Sequence, residues 1–137
     1  MAKQPKFKFM SHTGDVKFQA YGKNLNEIFE NMALAVSHIL SRGKGIKPVK
    51  TRKIEVEGDD DKALLYNFVE ELIFLLDSEN FTVSSAKVKI TGNKLAAEVS
   101  GDDASNYDLD QIKAATYAEM YIEKREGRLE AQMVVDV

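Results

Sequence analysis

The stretch His12-Thr13-Gly14-Asp15-Val16-Lys17-Phe18-Gln19-Ala20-Tyr21-Gly22, followed almost at once by Asn24-Leu25-Asn26-Glu27-Ile28-Phe29, decides how the chain is read. Val16, Phe18 and Ala20 alternate with Lys17, Gln19 and Tyr21, a period of two that predicts a strand with one apolar face, ended by Gly22. Two residues later the period changes. Asn24 and Glu27 have the form of a capping box, in which the Asn24 side chain accepts from a first-turn N–H and Glu27 reaches back. Leu25, Ile28, Phe29, Met32, Val36, Ile39 and Leu40 then recur at helical spacing, which turns Glu27, Glu30 and Asn31 toward solvent. A strand and a helix in direct succession, each with one apolar face, point to layered α and β structure.

His12 and Asp15 precede the alternation instead of obeying it, so a function is sought there first. A carboxylate at a strand mouth also serves as a turn cap, and that is the commoner use of such a residue. The short segment Phe7-Lys8-Phe9-Met10 is extended and can pair with 16–21, with the His12–Asp15 turn between them. His38, near the end of the first helix, suits the helix dipole and needs no further role.

Further along, Arg42-Gly43-Lys44-Gly45-Ile46-Lys47-Pro48 stops the helix and lacks the strand, helix and Gly-Lys-Ser/Thr ending of a phosphate loop. It reads as a solvated basic connection. Residues 50–57 alternate, with Ile54 and Val56 facing in. Gly58-Asp59-Asp60-Asp61 invites a cation, but lacks the alternating ligands and closing Glu of a calcium loop. Helix capping explains it better, because an apolar helix over 63–77 follows. That helix has an apolar face wide enough to be central or to carry an exposed patch.

Residues 81–91 and 95–100 form an expected hairpin about Gly92-Asn93-Lys94, and 101–106 a polar loop. Ile112, Ala114, Thr116, Ala118, Met120 and Ile122 alternate with their neighbours as a further strand. After a turn at Glu126-Gly127-Arg128, residues 129–137 place Leu129, Ala131, Met133, Val135 and Val137 on one face and Glu130, Gln132, Val134 and Asp136 on the other. The expected fold is α+β: two helices packed on a mainly antiparallel sheet of five to seven strands, in a single domain over residues 1–137.

The chain has 137 residues and no cysteine, which removes zinc ribbons, disulfides and thiol catalysis. It contains no apolar run long enough for a signal peptide or a membrane span, so a cytoplasmic protein is expected. A net charge of −3 argues against strong direct nucleic-acid binding, which needs a basic face for phosphates.

Several short motifs recur in order: His12-Thr13-Gly14-Asp15 with Ala20-Tyr21-Gly22, Phe29-Glu30-Asn31 with Ala33-Leu34-Ala35, and Glu55-Val56-Glu57-Gly58. They continue through Leu64-Leu65-Tyr66-Asn67-Phe68-Val69-Glu70-Glu71-Leu72, Lys113-Ala114-Ala115-Thr116-Tyr117 and Ala131-Gln132-Met133-Val134-Val135-Asp136-Val137. In this order and spacing the chain resembles the archease family over essentially its whole length. The resemblance implies a non-enzymatic cofactor of the GTP-dependent tRNA-splicing RNA ligase, promoting ligase guanylylation and multiple turnover. An alternative it implies is a chaperone-like partner of a tRNA cytosine methyltransferase. It further implies a divalent-metal site, calcium or else magnesium, on Asp15, Asp136 and the backbone of Val137. All-oxygen donors suit those ions and not zinc.

Two positions depart from the family pattern. Gly14 stands where the family usually has Ala, and Ala118 with Glu119 where many members have His-Gly. A third reading, a metal-dependent hydrolase with His12 as base, lacks a second basic group, a phosphate cradle and a nucleophile–base pair.

Overall fold

The computed structural model describes residues 5–10 and 14–137, so His12 and Thr13 lie outside the described residues. Seven strands and two long helices follow in the order β1 (Phe7–Met10), β2 (Asp15–Gly22), α1 (Leu25–Leu40), β3 (Lys50–Glu57), α2 (Asp61–Glu79), β4 (Phe81–Thr91), β5 (Lys94–Asp103), β6 (Ala114–Arg125) and β7 (Arg128–Asp136). The α+β class is as expected. The strands divide between two antiparallel sheets, β1-β2-β7-β6 and β3-β5-β4. Among the described residues no helix is long and apolar enough to cross a membrane.

Both helix starts are built as the sequence indicates. Asn24 Oδ1 accepts from Glu27 N–H at 2.9 Å, and Glu27 reaches back to the N–H of Lys23 at 3.3 Å. At α2 the acidic run is a cap: Asp60 Oδ1 accepts from Ala63 N–H at 2.8 Å. The helix ends on Asn80, whose left-handed backbone closes the last turn.

The helices hold the two sheets together. Phe18 and Ala20 of β2, Phe29 and Met32 of α1, Phe68 and Leu72 of α2 and Val99 of β5 all belong to one buried cluster. Phe29 and Phe68 meet where the helices touch, ring centroids 5.7 Å apart. The wide apolar face of α2 is accounted for mainly by this central position, with Phe74 as its exposed large apolar side chain.

Glu30 and Asn31 do not face solvent. Asn31 is buried and donates to the carbonyl of Tyr21 at 2.6 Å. Glu30 accepts the N–H of Val88 at 2.9 Å, and Asn26 that of Ile90 at 3.0 Å, so α1 satisfies the outer edge of β4. On α2, Glu70 does the same for Ala115 in β6 at 3.0 Å. A helix wedged between sheet edges has polar work on faces that periodicity assigns to water.

The 101–106 segment is also more ordered than a polar loop. Strand β5 runs on to Asp103, and a Cβ at Gly101 would stand 2.1 Å from the Thr82 carbonyl, so only glycine lets β5 approach β4 there. A 3-10 turn over Ala104–Asn106 follows. The buried Asp102 accepts from Tyr107 Oη at 2.7 Å and from the N–H of Asp103 at 2.7 Å.

Strand β6 slips phase. Its pairing with β7 shifts between Thr116 and Tyr121, with Glu119 at φ 54°, so Ala115 and Met120 are both buried although strict alternation puts them on opposite faces. The bulge sends Tyr117 outward to stack on Tyr66 of α2, centroids 4.3 Å apart. On β7, Glu130 and Gln132 lie on the face away from the core but are buried under a polar network. Gln19 donates to Gln132 at 2.9 Å, Tyr21 donates to Gln19 at 2.7 Å, and Tyr121 donates to Glu130. Burial and the Glu130 carboxylate push the Tyr121 hydroxyl up to about 12.

Replacing Glu30 with Ala strands the Val88 N–H at a half-buried edge and should lower unfolding free energy by about 2 kcal/mol in urea titration. The hydroxyl of Tyr107 and the N–H of Asp103 hold the Asp102 carboxyl below the usual aspartate range. A depressed folded-state value stabilises the fold above the unfolded pKa and is lost as pH falls through the folded one. Melting temperature should therefore drop more steeply on acidification below about pH 4 in the natural protein than in Asp102→Asn, where this contribution is absent.

Candidate metal site at the sheet end

Strands β2 and β7 come from opposite ends of the chain and pair over their full lengths, which sets Asp15 directly opposite Asp136. Residues opposite each other in an antiparallel ladder project to the same face with Cβ atoms about 5 Å apart. Phe18 and Ala20 point into the core, so Asp15 shares the other face with Lys17, Gln19 and Tyr21. The two carboxylates thus end the polar column whose middle is the Gln19–Gln132 pair. Strand β6 supports the far side: Ala114 is the register partner of Asp136, and Lys113 N–H donates to the Asp136 carbonyl at 2.7 Å.

Asp15 is half-buried, as are Asp136 and Val137. Lys17, two residues from Asp15 on the same face, binds Glu119 at 3.1 Å. A surface groove of about 390 Å³ opens beside Asp15, lined by Phe9, Met10, His38, Arg42 and Asp110 among others. Asp110 is held there by its N–H, which donates to the carbonyl of Leu40 at the end of α1 at 2.8 Å. His38 is exposed and its ring packs against Phe9, centroids 5.0 Å apart, and against Phe7 at 5.6 Å. The sequence sets His38 aside, gives Asp110 no part in a site, and offers Arg42 only as part of a basic connection that could face an anionic partner. His38 and Arg42 lie at the end of α1 and Asp110 in the loop before β6, and neither place in the sequence points to β2.

Among the described residues no three acidic or histidine side chains converge closely enough to enclose a metal ion. Asp15 and Asp136 face each other, and with a main-chain oxygen of Val137 they would offer a partial set of hard donors. Such a set fits a calcium or magnesium ion that keeps several waters, because those ions accept carboxylate, carbonyl and water oxygens together. It does not fit zinc. Asp110 stands by the same groove as a further carboxylate. Ahead of Asp15, Gly14 has left-handed backbone at φ 76°, where a side chain is strained although an added Cβ would meet nothing within 4 Å.

The fold and this sheet end define a class: a small α+β protein, two helices joining two antiparallel sheets, with paired carboxylates where its first long strand meets its last. Residues 7–137 match the Archease protein family, and the chain belongs to that family. The protein archease of Thermococcus kodakarensis is 37% identical over 140 residues, covering 96% of this chain and 99% of that one. That of Methanothermobacter thermautotrophicus is 31% identical, covering 96% and 98%. The solution structure of protein 1598 of Methanobacterium thermoautotrophicum superposes with a TM-score of 0.78 at 28% identity, covering 96% of this chain and 99% of that one. A crystal structure of an archease from Thermotoga maritima, described as a possible chaperone, shares the fold at a TM-score of 0.68 and 18% identity, covering 100% and 98%.

Gly14→Ala places a Cβ on left-handed backbone. It should cost about 1 kcal/mol of stability, read as a lower urea midpoint, with the hydrogen-exchange protection of β2 and β7 otherwise kept.

Proposed function

We propose that this protein is a non-enzymatic activator of the GTP-dependent RNA ligase of tRNA splicing and RNA repair, acting through a divalent cation held at Asp15, Asp136 and the backbone of Val137. The register pairing of Asp15 with Asp136 carries the reading. It brings the two carboxylates that the family resemblance implicates from opposite ends of the sequence to one place.

The chemistry of the site suits a cofactor better than a catalyst. Two carboxylates and a main-chain oxygen offer a hard cation only part of its shell, leaving positions for water or for oxygens of a partner's nucleotide or carboxylates. The groove next to Asp15 has apolar walls in Phe9 and Met10 with Arg42 and Asp110 at its rim, a mixture typical of a surface that meets another protein. When bound, the ion supplies positive charge at that opening. The chain's own part is to position Asp15 and Asp136 opposite each other on a paired sheet. A chaperone-like role toward a tRNA cytosine methyltransferase draws support from the description of the Thermotoga maritima relative. It would require an apolar binding surface, and α2 buries most of the apolar area that such a role would use.

Asp15→Ala and Asp136→Ala should each abolish stimulation of the ligase while changing unfolding free energy by no more than about 1 kcal/mol, because neither side chain packs in the core. Calcium titration calorimetry, multiple-turnover RNA joining and circular dichroism are the measurements. Full stimulation by either variant would remove the shared site from the mechanism. Stimulation of a methyltransferase's solubility, with no effect on joining by the natural protein, would favour the chaperone reading.

A further inference from the structure

The edges of the two sheets are not treated alike. Strand β4 is sealed along α1, part of β6 along α2, and β1 is only four residues long. Strand β3 is an eight-residue edge whose outer side pairs with no strand among the described residues. Long open edges recruit other strands unless something blocks them.

Which main-chain groups β3 offers follows from the ladder. On β4, the N–H groups of Val88 and Ile90 point away from β5, so Lys87 and Lys89 exchange backbone bonds with Glu98 and Ala96. Alternation then turns Ala97 and Val99 of β5 toward Ile54 and Arg52 of β3. The peptide groups of Thr51, Lys53, Glu55 and Glu57 consequently face outward. Two of the outward carbonyls have side-chain donors: Thr51 accepts from Arg52 at 3.0 Å, and Glu57 from Asn67 at 2.7 Å. The middle of the edge, Lys53 and Glu55, has no such cover among the described residues.

We propose that β3 pairs antiparallel with β3 of a second copy, about a two-fold axis through Ile54, joining two three-stranded sheets into one of six strands. The strand reads Lys50-Thr51-Arg52-Lys53-Ile54-Glu55-Val56-Glu57, basic in its first half and acidic in its second. In that register Lys53 stands opposite Glu55 of the second copy, and Glu55 opposite its Lys53. These are the outward-facing positions, so each pair exchanges two backbone hydrogen bonds while its exposed side chains attract across the seam. Ile54 meets Ile54 on the inner face. A strand that is complementary to itself in charge and in hydrogen bonding selects its own copy over an arbitrary partner.

Helix α2 adds an apolar contact at the same axis. Asn67 and Phe74 are seven residues apart and so share a helix face, and Asn67 reaches the end of β3 at Glu57. Glu79 binds Arg52, so α2 runs antiparallel to β3. Seven helical residues advance about 10 Å, and about three strand residues cover the same distance. Phe74 is therefore level with Ile54. Phe74 is 52% exposed, and the axis brings it toward Phe74 of the second copy.

The inference is independent of the metal site, and its test needs no ligase. Sedimentation equilibrium over a concentration series should show the mass rising from 15.4 kDa toward twice that value. Lys53→Glu places two carboxylates opposite each other in both cross-copy pairs, and Glu55→Lys places two ammonium groups there, so each variant alone should stay monomeric. Their equimolar mixture restores two opposite-charge pairs and should associate as the natural protein does. Phe74→Asp should weaken self-association at least tenfold with the strand untouched. Circular dichroism verifies that these exposed substitutions leave the fold intact. A natural protein that stays monomeric to its solubility limit overturns the proposal. So does a mixture that fails to associate, or single variants that associate as well as the natural chain.

Discussion

Three side chains on two helices determine how the seven strands become one body. Glu30 and Asn26 of α1 accept the outward N–H groups of Val88 and Ile90, and Glu70 of α2 accepts that of Ala115. The two sheets share no ladder, so nothing in β pairing fixes one against the other. The apolar core attracts them together but is non-directional. Hydrogen bonds donated by edge peptides to two helix carboxylates and an amide oxygen supply direction. They also close two edges that would otherwise pair with other chains.

That arrangement explains which features the sequence disclosed. Alternation in 15–22 and 50–57, helical spacing in 25–40 and the caps at Asn24 and Asp60 are local properties, and each forms as written. Local pattern assigns a face to a strand but not a neighbour. It therefore could not divide the strands into two sheets, nor show that Glu30 and Asn31 serve a sheet edge and the β2 backbone. The β6 phase was lost for a related reason: a left-handed residue at Glu119 absorbs extra chain between Thr116 and Tyr121, and no residue type there announces it. Gly101 carried a real signal, since a glycine inside a strand marks close backbone approach.

The candidate site shows the same division. Asp15 stood out by breaking a pattern, while Asp136 sat within a regular strand and was singled out through family resemblance. Only the β2–β7 ladder sets them opposite one another. Asp110, Arg42 and His38 line a groove with Asp15, reached from the end of α1 and the loop before β6, and their presence depends on how a helix terminus packs against a sheet end. His12 and Thr13, the other members of the opening motif, lie outside the described residues.

The β2–β7 pairing also imposes an order of events on a growing chain. Its partners are more than a hundred residues apart in sequence, the most expensive kind of contact to close, and β2 is made long before its partner. Until β7 has been made and has docked, Asp15 does not yet face Asp136. The facing carboxylates exist only in a molecule whose final strand is seated between β2 and β6. A surface built that way distinguishes molecules in which this ladder has closed from half-folded ones, so whatever engages it meets only folded copies.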